Sequence, residues 1–165
     1  MAKDSSFDIV SDVDMQEVDN AFQQAARELA QRYDLKGSGA SIEFSRKEGS
    51  FLITAPSEFV ASQVVDVLGS KLVKRGVDLK ALRMDKPQPA AGMSVRQTGR
   101  MVQGIDSEVA KRISKDIRDT KLKVRPAIEG EKLRVSASSK DALQSVIAFL
   151  RDQDYGQPLQ FVNYR

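Results

Sequence analysis

The chain has 165 residues, 41% hydrophobic and 30% charged, with 26 Lys+Arg against 23 Asp+Glu; this composition excludes extended disorder, and the length suits one domain or two small ones. Cysteine and histidine are absent, which removes disulfides, thiolate chemistry, Ser-His triads and the usual zinc sites. No apolar run approaches the ~20 residues of a membrane helix, and Met1-Ala2-Lys3-Asp4-Ser5 lacks the apolar stretch of a signal peptide, so a cytoplasmic protein without membrane attachment is expected.

In chain order, Phe7-Asp8-Ile9 alternates like a short strand. Asp14 and Glu17 have the spacing of a capping box. Met15, Val18, Phe22, Ala25, Leu29 and Tyr33 then predict a helix that ends at Gly37 and Gly39. Strands are expected over about 40–45 and 50–55, joined by an Arg46–Gly49 turn. Pro56-Ser57 opens a second helix carrying Val60, Val64, Leu68 and Leu72, with Gly76 beyond its end, and 78–85 reads as another strand. Lys86–Gly92 is a linker by composition. The order then restarts: a strand over 93–102, a helix over 105–119, strands over 121–128 and 132–137 around Glu129-Gly130-Glu131, a helix capped by Ser139, and a last strand over 158–164.

An offset of 82 places Ile53, Ala55, Ser57, Val64, Val65 and Leu68 on Val135, Ala137, Ser139, Val146, Ile147 and Leu150. Two βαββαβ halves predict an α+β protein of two tandem ferredoxin-like sandwiches. Pro126 then falls in an edge strand, where proline is tolerated.

Charge is uneven. Residues 1–20 hold one Lys and six acids, and residues 87–135 hold eleven bases and six acids. On strand 121–128, alternation sends Lys121, Lys123 and Arg125 to the face opposite Leu122, Val124 and Pro126; on 132–137 it sends Lys132 and Arg134 to that same face. No acid occupies these positions. Arg96, Thr98 and Arg100 share a face of strand 93–102. An anion or nucleotide is the expected occupant of such faces, since Arg grips phosphate bidentately and Lys acts as a point charge. Lys71, Lys74 and Arg75 close the second helix, where cations also complement its dipole. The third strands of both halves lack the aromatic pair that stacks RNA bases. Neither a Gly-x4-Gly-Lys loop nor a third glycine after Gly37-Ser38-Gly39 is present.

The chain resembles the bacterial YajQ family. The resemblance runs through Ser6–Ser11, Arg32–Gly37, Lys71–Gly76, Val95–Gln97, Gln103–Ile105, Lys121–Val124, Asp141–Val146 and Gln160–Arg165, in that order over essentially the whole chain. It implies that the two sandwiches exchange their N-terminal strands. Residues 1–12 would complete the second domain (103–165), and 93–102 the first (13–86), with 87–92 as linker. It also implies a nucleotide-binding protein linked to cyclic di-GMP sensing, with a transcription factor as partner, and to RNA. Leu35 stands where the family often has phenylalanine, which removes one stacking group. The expected function is a non-enzymatic nucleotide-binding protein without a cofactor or metal, a cyclic di-GMP effector acting through a protein partner. The alternative is an RNA-binding protein using the basic open face. Candidate ligands to the nucleotide are Arg96, Gln97, Gln103, Lys121, Lys123 and Arg125, with Lys36, Lys71 and Arg75 as further candidates. Two other readings remain: an adaptor without a small ligand, and a metal-dependent hydrolase using Asp8, Asp12 and Asp14.

Overall fold

The structure is a computed structural model that describes residues 4–35 and 37–165. In chain order its elements are β1 (Ser5–Val10), α1 (Met15–Gln31), β2 (Ser41–Ser45), β3 (Ser50–Ala55), α2 (Glu58–Lys74), β4 (Leu82–Met84), β5 (Gln88–Pro89), β6 (Val95–Met101), α3 (Ser107–Asp119), β7 (Arg125–Glu129), β8 (Lys132–Ala137), α4 (Lys140–Arg151) and β9 (Gln160–Val162). They form two antiparallel sheets, ordered β7-β8-β1-β9 and β2-β3-β6-β4, with β5 also beside β6. This α+β arrangement is compatible with two ferredoxin-like halves. The chain divides into two compact units. A split unit joins the segment ending at Asp12 to Gln103–Arg165, and a continuous unit spans Val13–Val102. Among the described residues no helix is long and apolar enough to cross a membrane.

Each unit has its own core. In the continuous unit, Val18, Ala21, Ala25 and Leu29 of α1 and Ala61, Val64, Leu68 and Leu72 of α2 are buried with Phe51, Ile53 and Ala55 of β3. Phe44 and Phe51 stack with centroids 4.7 Å apart. In the split unit, Phe7 and Ile9 of β1 pack with Leu133, Val135 and Ala137 of β8, beneath Ile113 and Ile117 of α3 and Val146, Ile147 and Leu150 of α4. Aromatic area in the sheets therefore goes largely into packing and is not displayed to bases.

The helices start as their residue types dictate. Ser57 accepts from Val60 N and Ser139 from Ala142 N, so the repeat offset links two working caps. Asp14 accepts from Gln16 and Glu17 N. The reciprocal half of the expected capping box is not made, because the Glu17 carboxylate turns instead to Arg75 and Asn20.

Other expectations shift. Tyr33 lies beyond α1 and is almost fully exposed. The strand expected over 78–85 shortens to β4, preceded by a helical turn at Leu79–Ala81. The presumed linker 87–92 contributes β5, which pairs Gln88 with Arg96 and Pro89 with Val95. The largest correction is at 121–128: β7 begins only at Arg125. Thr120 caps α3, and Lys121 follows with φ 61°. That left-handed residue turns the chain out of the helix, and Leu122 and Val124 reach the core from the turn. Alternation at 121–124 thus imitates a strand inside a helix exit. Pro126 does sit on an edge strand, opposite Val135.

Phe7 is fully buried on a central strand. Phe7→Ala should cost about 3–5 kcal/mol in chemical denaturation and strip amide-exchange protection from β8 and β9.

Candidate functional site

In an antiparallel pair, directly opposed residues share a face, so the strand register defines what each sheet presents on the side away from its helices. In the split unit the open face carries three rows: Arg125, Ser136 and Ser6; then Ala127, Arg134, Asp8 and Val162; then Glu129 with Lys132. Asp8 sits at the centre of this face and is only 1% exposed. Arg134 Nε donates to its Oδ1 at 3.0 Å, and Lys132 Nζ and Asn163 Nδ2 donate to its Oδ2 at 3.2 and 2.8 Å. Asn163 reaches it from a left-handed backbone, φ 55°, a conformation asparagine tolerates better than most residues. Burial alone would raise the Asp8 pKa, but the Arg134, Asn163 and Lys132 donors outweigh it and hold the carboxyl at about 2.

This overturns the expectation of an acid-free basic face. Lys132 and Arg134 are tied to Asp8, Arg134 also lies 3.7 Å from Glu129, and Arg125 is paired with Asp4. Lys121 and Lys123 are exposed but stand on the helix exit, outside the strand. Gln103 lines an open cleft of about 860 Å³ that adjoins the end of this face, with Asp12, Glu129, Glu131, Lys132 and Asn163. Three carboxylates against one ammonium make it a poor phosphate site. Asp8, Asp12 and Asp14 do not assemble a metal centre either. Asp8 is sequestered, Asp14 caps α1, and no group of acids that could hold a metal occurs among the described residues.

The open face of the continuous unit is different. Its rows are Ser41, Thr54, Arg96 and Gln88; then Glu43, Leu52 and Thr98; then Ser45, Ser50, Arg100 and Arg83. Leu52 is central, Glu43 is directly beside it, and Arg96 and Arg100 are its diagonal neighbours at about 7–8 Å. Among the described residues the side chains of Arg96, Arg100 and Glu43 form neither an ion pair nor a hydrogen bond. Thr98 Oγ1 donates to Asp85 Oδ2 at 2.9 Å. An open cleft of about 400 Å³ over this face is lined by Glu43, Ser50, Leu52, Arg96 and Thr98 among others. Gln97 points to the opposite side, where its Nε2 donates to Asp85 O at 2.8 Å.

Lys71 and Arg75 are also in the continuous unit, at the end of α2, and are held by Glu28 and Glu17 of α1 at 3.0 and 2.9 Å. They fasten one helix to the other. Lys36 lies outside the described residues. Leu35 is buried in the core, so its position offers no surface for stacking.

A family described as "Nucleotide-binding protein YajQ-like" matches residues 5–165. The chain belongs to the YajQ family. Similar proteins, each called "Nucleotide-binding protein", include those of Desulfitobacterium hafniense (strain DSM 10664 / DCB-2), 52% identical, Synechococcus sp. (strain JA-3-3Ab), 50%, and Chloroherpeton thalassium (strain ATCC 35110 / GB-78), 47%. Each comparison covers the whole of both chains. In this YajQ-family chain Arg96 and Arg100 stand on the continuous unit's face without a counter-ion among the described residues. Alternation along β6 already puts those two together. Glu43 and Leu52 reach them only through the cross-strand register, which single-strand alternation does not disclose.

The Asp8 cluster predicts an acid limb in stability. Its folded pKa lies below the ordinary 3.8, so the ionised carboxylate contributes about 2 kcal/mol above pH ~4, and this drains away as the pH falls toward 2. Asp8→Asn should remove that contribution at pH 7 and flatten the profile between pH 4 and 2, read by urea denaturation at each pH.

Proposed function

We propose that this chain is a non-enzymatic nucleotide-binding effector, with cyclic di-GMP as its ligand, acting in the cytoplasm through a protein partner. The site in this reading is the open face of β2-β3-β6-β4. The observation that carries it is that Arg96 and Arg100 flank the apolar side chain of Leu52 without any counter-ion among the described residues. Exposed guanidiniums that no carboxylate neutralises keep their forks for phosphate. Two of them match a ligand with two phosphates, and Leu52 between them offers a base an apolar floor. Relatives and family carry nucleotide binding in their descriptions, and this face supplies the chemistry such a function requires.

The reading without turnover rests on the available side chains. Without His or Cys, proton transfer falls to carboxylates, amines or tyrosine phenols. The one deeply buried carboxylate, Asp8, is held ionised by its three donors, unlike the raised pKa of an acid catalyst.

The proposal includes the tandem organisation. The two units are ferredoxin-like modules that exchange their first strands: residues 1–12 serve the module of 103–165, and 93–102 serves that of 13–86. The pairing of β1 with β8 and β9, and of β6 with β3 and β4, supports this reading. Deleting residues 1–12 should then remove amide protection throughout 103–165 first; loss confined to 14–86 would contradict it.

Titration calorimetry tests the site. Arg96→Ala and Arg100→Ala should each weaken cyclic di-GMP binding about ten- to a hundredfold, equivalent to about 1.5–3 kcal/mol. Both side chains are exposed, so stability should change by no more than about 0.5 kcal/mol. Lys123→Ala and Arg125→Ala should bind as the unmodified chain does. A shallow salt dependence fits a two-phosphate ligand, and a steep one fits RNA on the same face. Wild-type affinity in both Arg variants would place the nucleotide elsewhere.

A further inference from the structure

We infer that Glu43 is the residue with which this face selects its base, favouring one whose edge presents two adjacent N–H donors, as guanine does, over adenine. The inference rests on the reading of the face as the nucleotide site and goes on to name what that site selects.

The placement of Glu43 carries the argument. It stands on β2 directly opposite Leu52, while Arg96 and Arg100 lie on β6, on the other side of β3. Neighbouring strands are about 4.8 Å apart, so the carboxylate is two strand spacings, about 10 Å, from the arginine-bearing strand. At that separation it does not pair with either guanidinium, and no other described residue neutralises it. It is also exposed, so it needs no partner for its own stability. A base laid over Leu52 with its phosphate toward Arg96 would extend its far edge over β2. Glu43, Leu52, Arg96 and Thr98 line one cleft of about 400 Å³, within the range of small-ligand sites.

The chemistry of that edge sets the preference. An ionised carboxylate is an acceptor only, with two oxygens side by side. The N1–H and exocyclic amine of guanine are two adjacent donors and meet both oxygens. Adenine offers one amine beside a ring nitrogen that is itself an acceptor, so one carboxylate oxygen would face a lone pair. Discrimination then combines an attractive pairing with a repulsive one. A carboxylate on a phosphate-binding face otherwise works against the ligand's charge. Its position on the strand farthest from the arginines limits that cost and leaves it beside the base.

Full-length protein titrated with cyclic di-GMP and with cyclic di-AMP isolates the base, because the two ligands share their sugar-phosphate ring. Wild type should prefer cyclic di-GMP by about tenfold or more. Glu43→Gln should lose at least about tenfold in cyclic di-GMP affinity and gain affinity for cyclic di-AMP, since an amide supplies the donor and acceptor that adenine's edge matches. A gain on one ligand with a loss on the other cannot come from general damage to the fold. An unchanged ratio of the two affinities in Glu43→Gln, or no wild-type preference, would overturn the inference. Arg96→Ala separates this from failure of the site itself. If it weakens both ligands while Glu43→Gln leaves their ratio intact, only the base-reading role falls. If it weakens neither, the face is not the nucleotide site and the inference falls with it.

Discussion

Asp8 decides which surface of this protein stays electrostatically open. It projects from a central strand to the side away from the helices, where a bare carboxylate would be costly to bury. Arg134, Lys132 and Asn163 close over it. The bonds that stabilise the anion also consume the positive charge of β8, so Lys132 and Arg134 serve as a half-buried clamp. In the second sheet the register puts Thr98 where the first has Asp8, and Leu52 where it has Arg134. With no buried anion to neutralise, the arginines of β6 pair with no acid among the described residues.

The same contrast orders the other ion pairs. Cations that meet an acid within their own unit serve the fold: Lys71 and Arg75 bind α2 to α1, and Arg125 meets Asp4. Pairs as exposed as Arg125 with Asp4 add little stability, but they lower the local field that a phosphate would feel. A count of Lys and Arg along a segment therefore overstates its attraction for anions, and residues 87–135 show this plainly. Their bases are divided among β6, α3, a helix exit, the start of β7 and the half-buried clamp on Asp8, and they do not form one patch.

Much of the fold was legible from residues alone. Helical spacing in α1 to α4, the caps at Ser57 and Ser139, and the 82-residue offset all depend on local physics that acts within one element. Among the features that escaped, two show why. Lys121-Leu122-Lys123-Val124 alternates as a strand would, yet the turn out of α3 fixes it, because closing a helix outweighs the preference of four residues. The neutralisation of Lys132 and Arg134 by Asp8 spans more than 120 residues of sequence, and only the pairing of β1 with β8 reveals it. The candidate site was half legible for the same reason. Arg96 and Arg100 lie on one strand and can be read from it, whereas Glu43 and Leu52 need the register of three.

The short β5 has a consequence for motion. Strand β6 is continuous, but its outer edge is covered by two separate pieces, β4 over the Gly99–Met101 end and β5 over the Val95–Arg96 end. Between them the chain leaves the sheet through Lys86 and Pro87. A strand of two residues contributes few ladder bonds and little buried surface, which places it at the low end of local opening free energies. The backbone beside Arg96 should therefore fray far more often than that beside Arg100, leaving β6 with a soft end and a firm end.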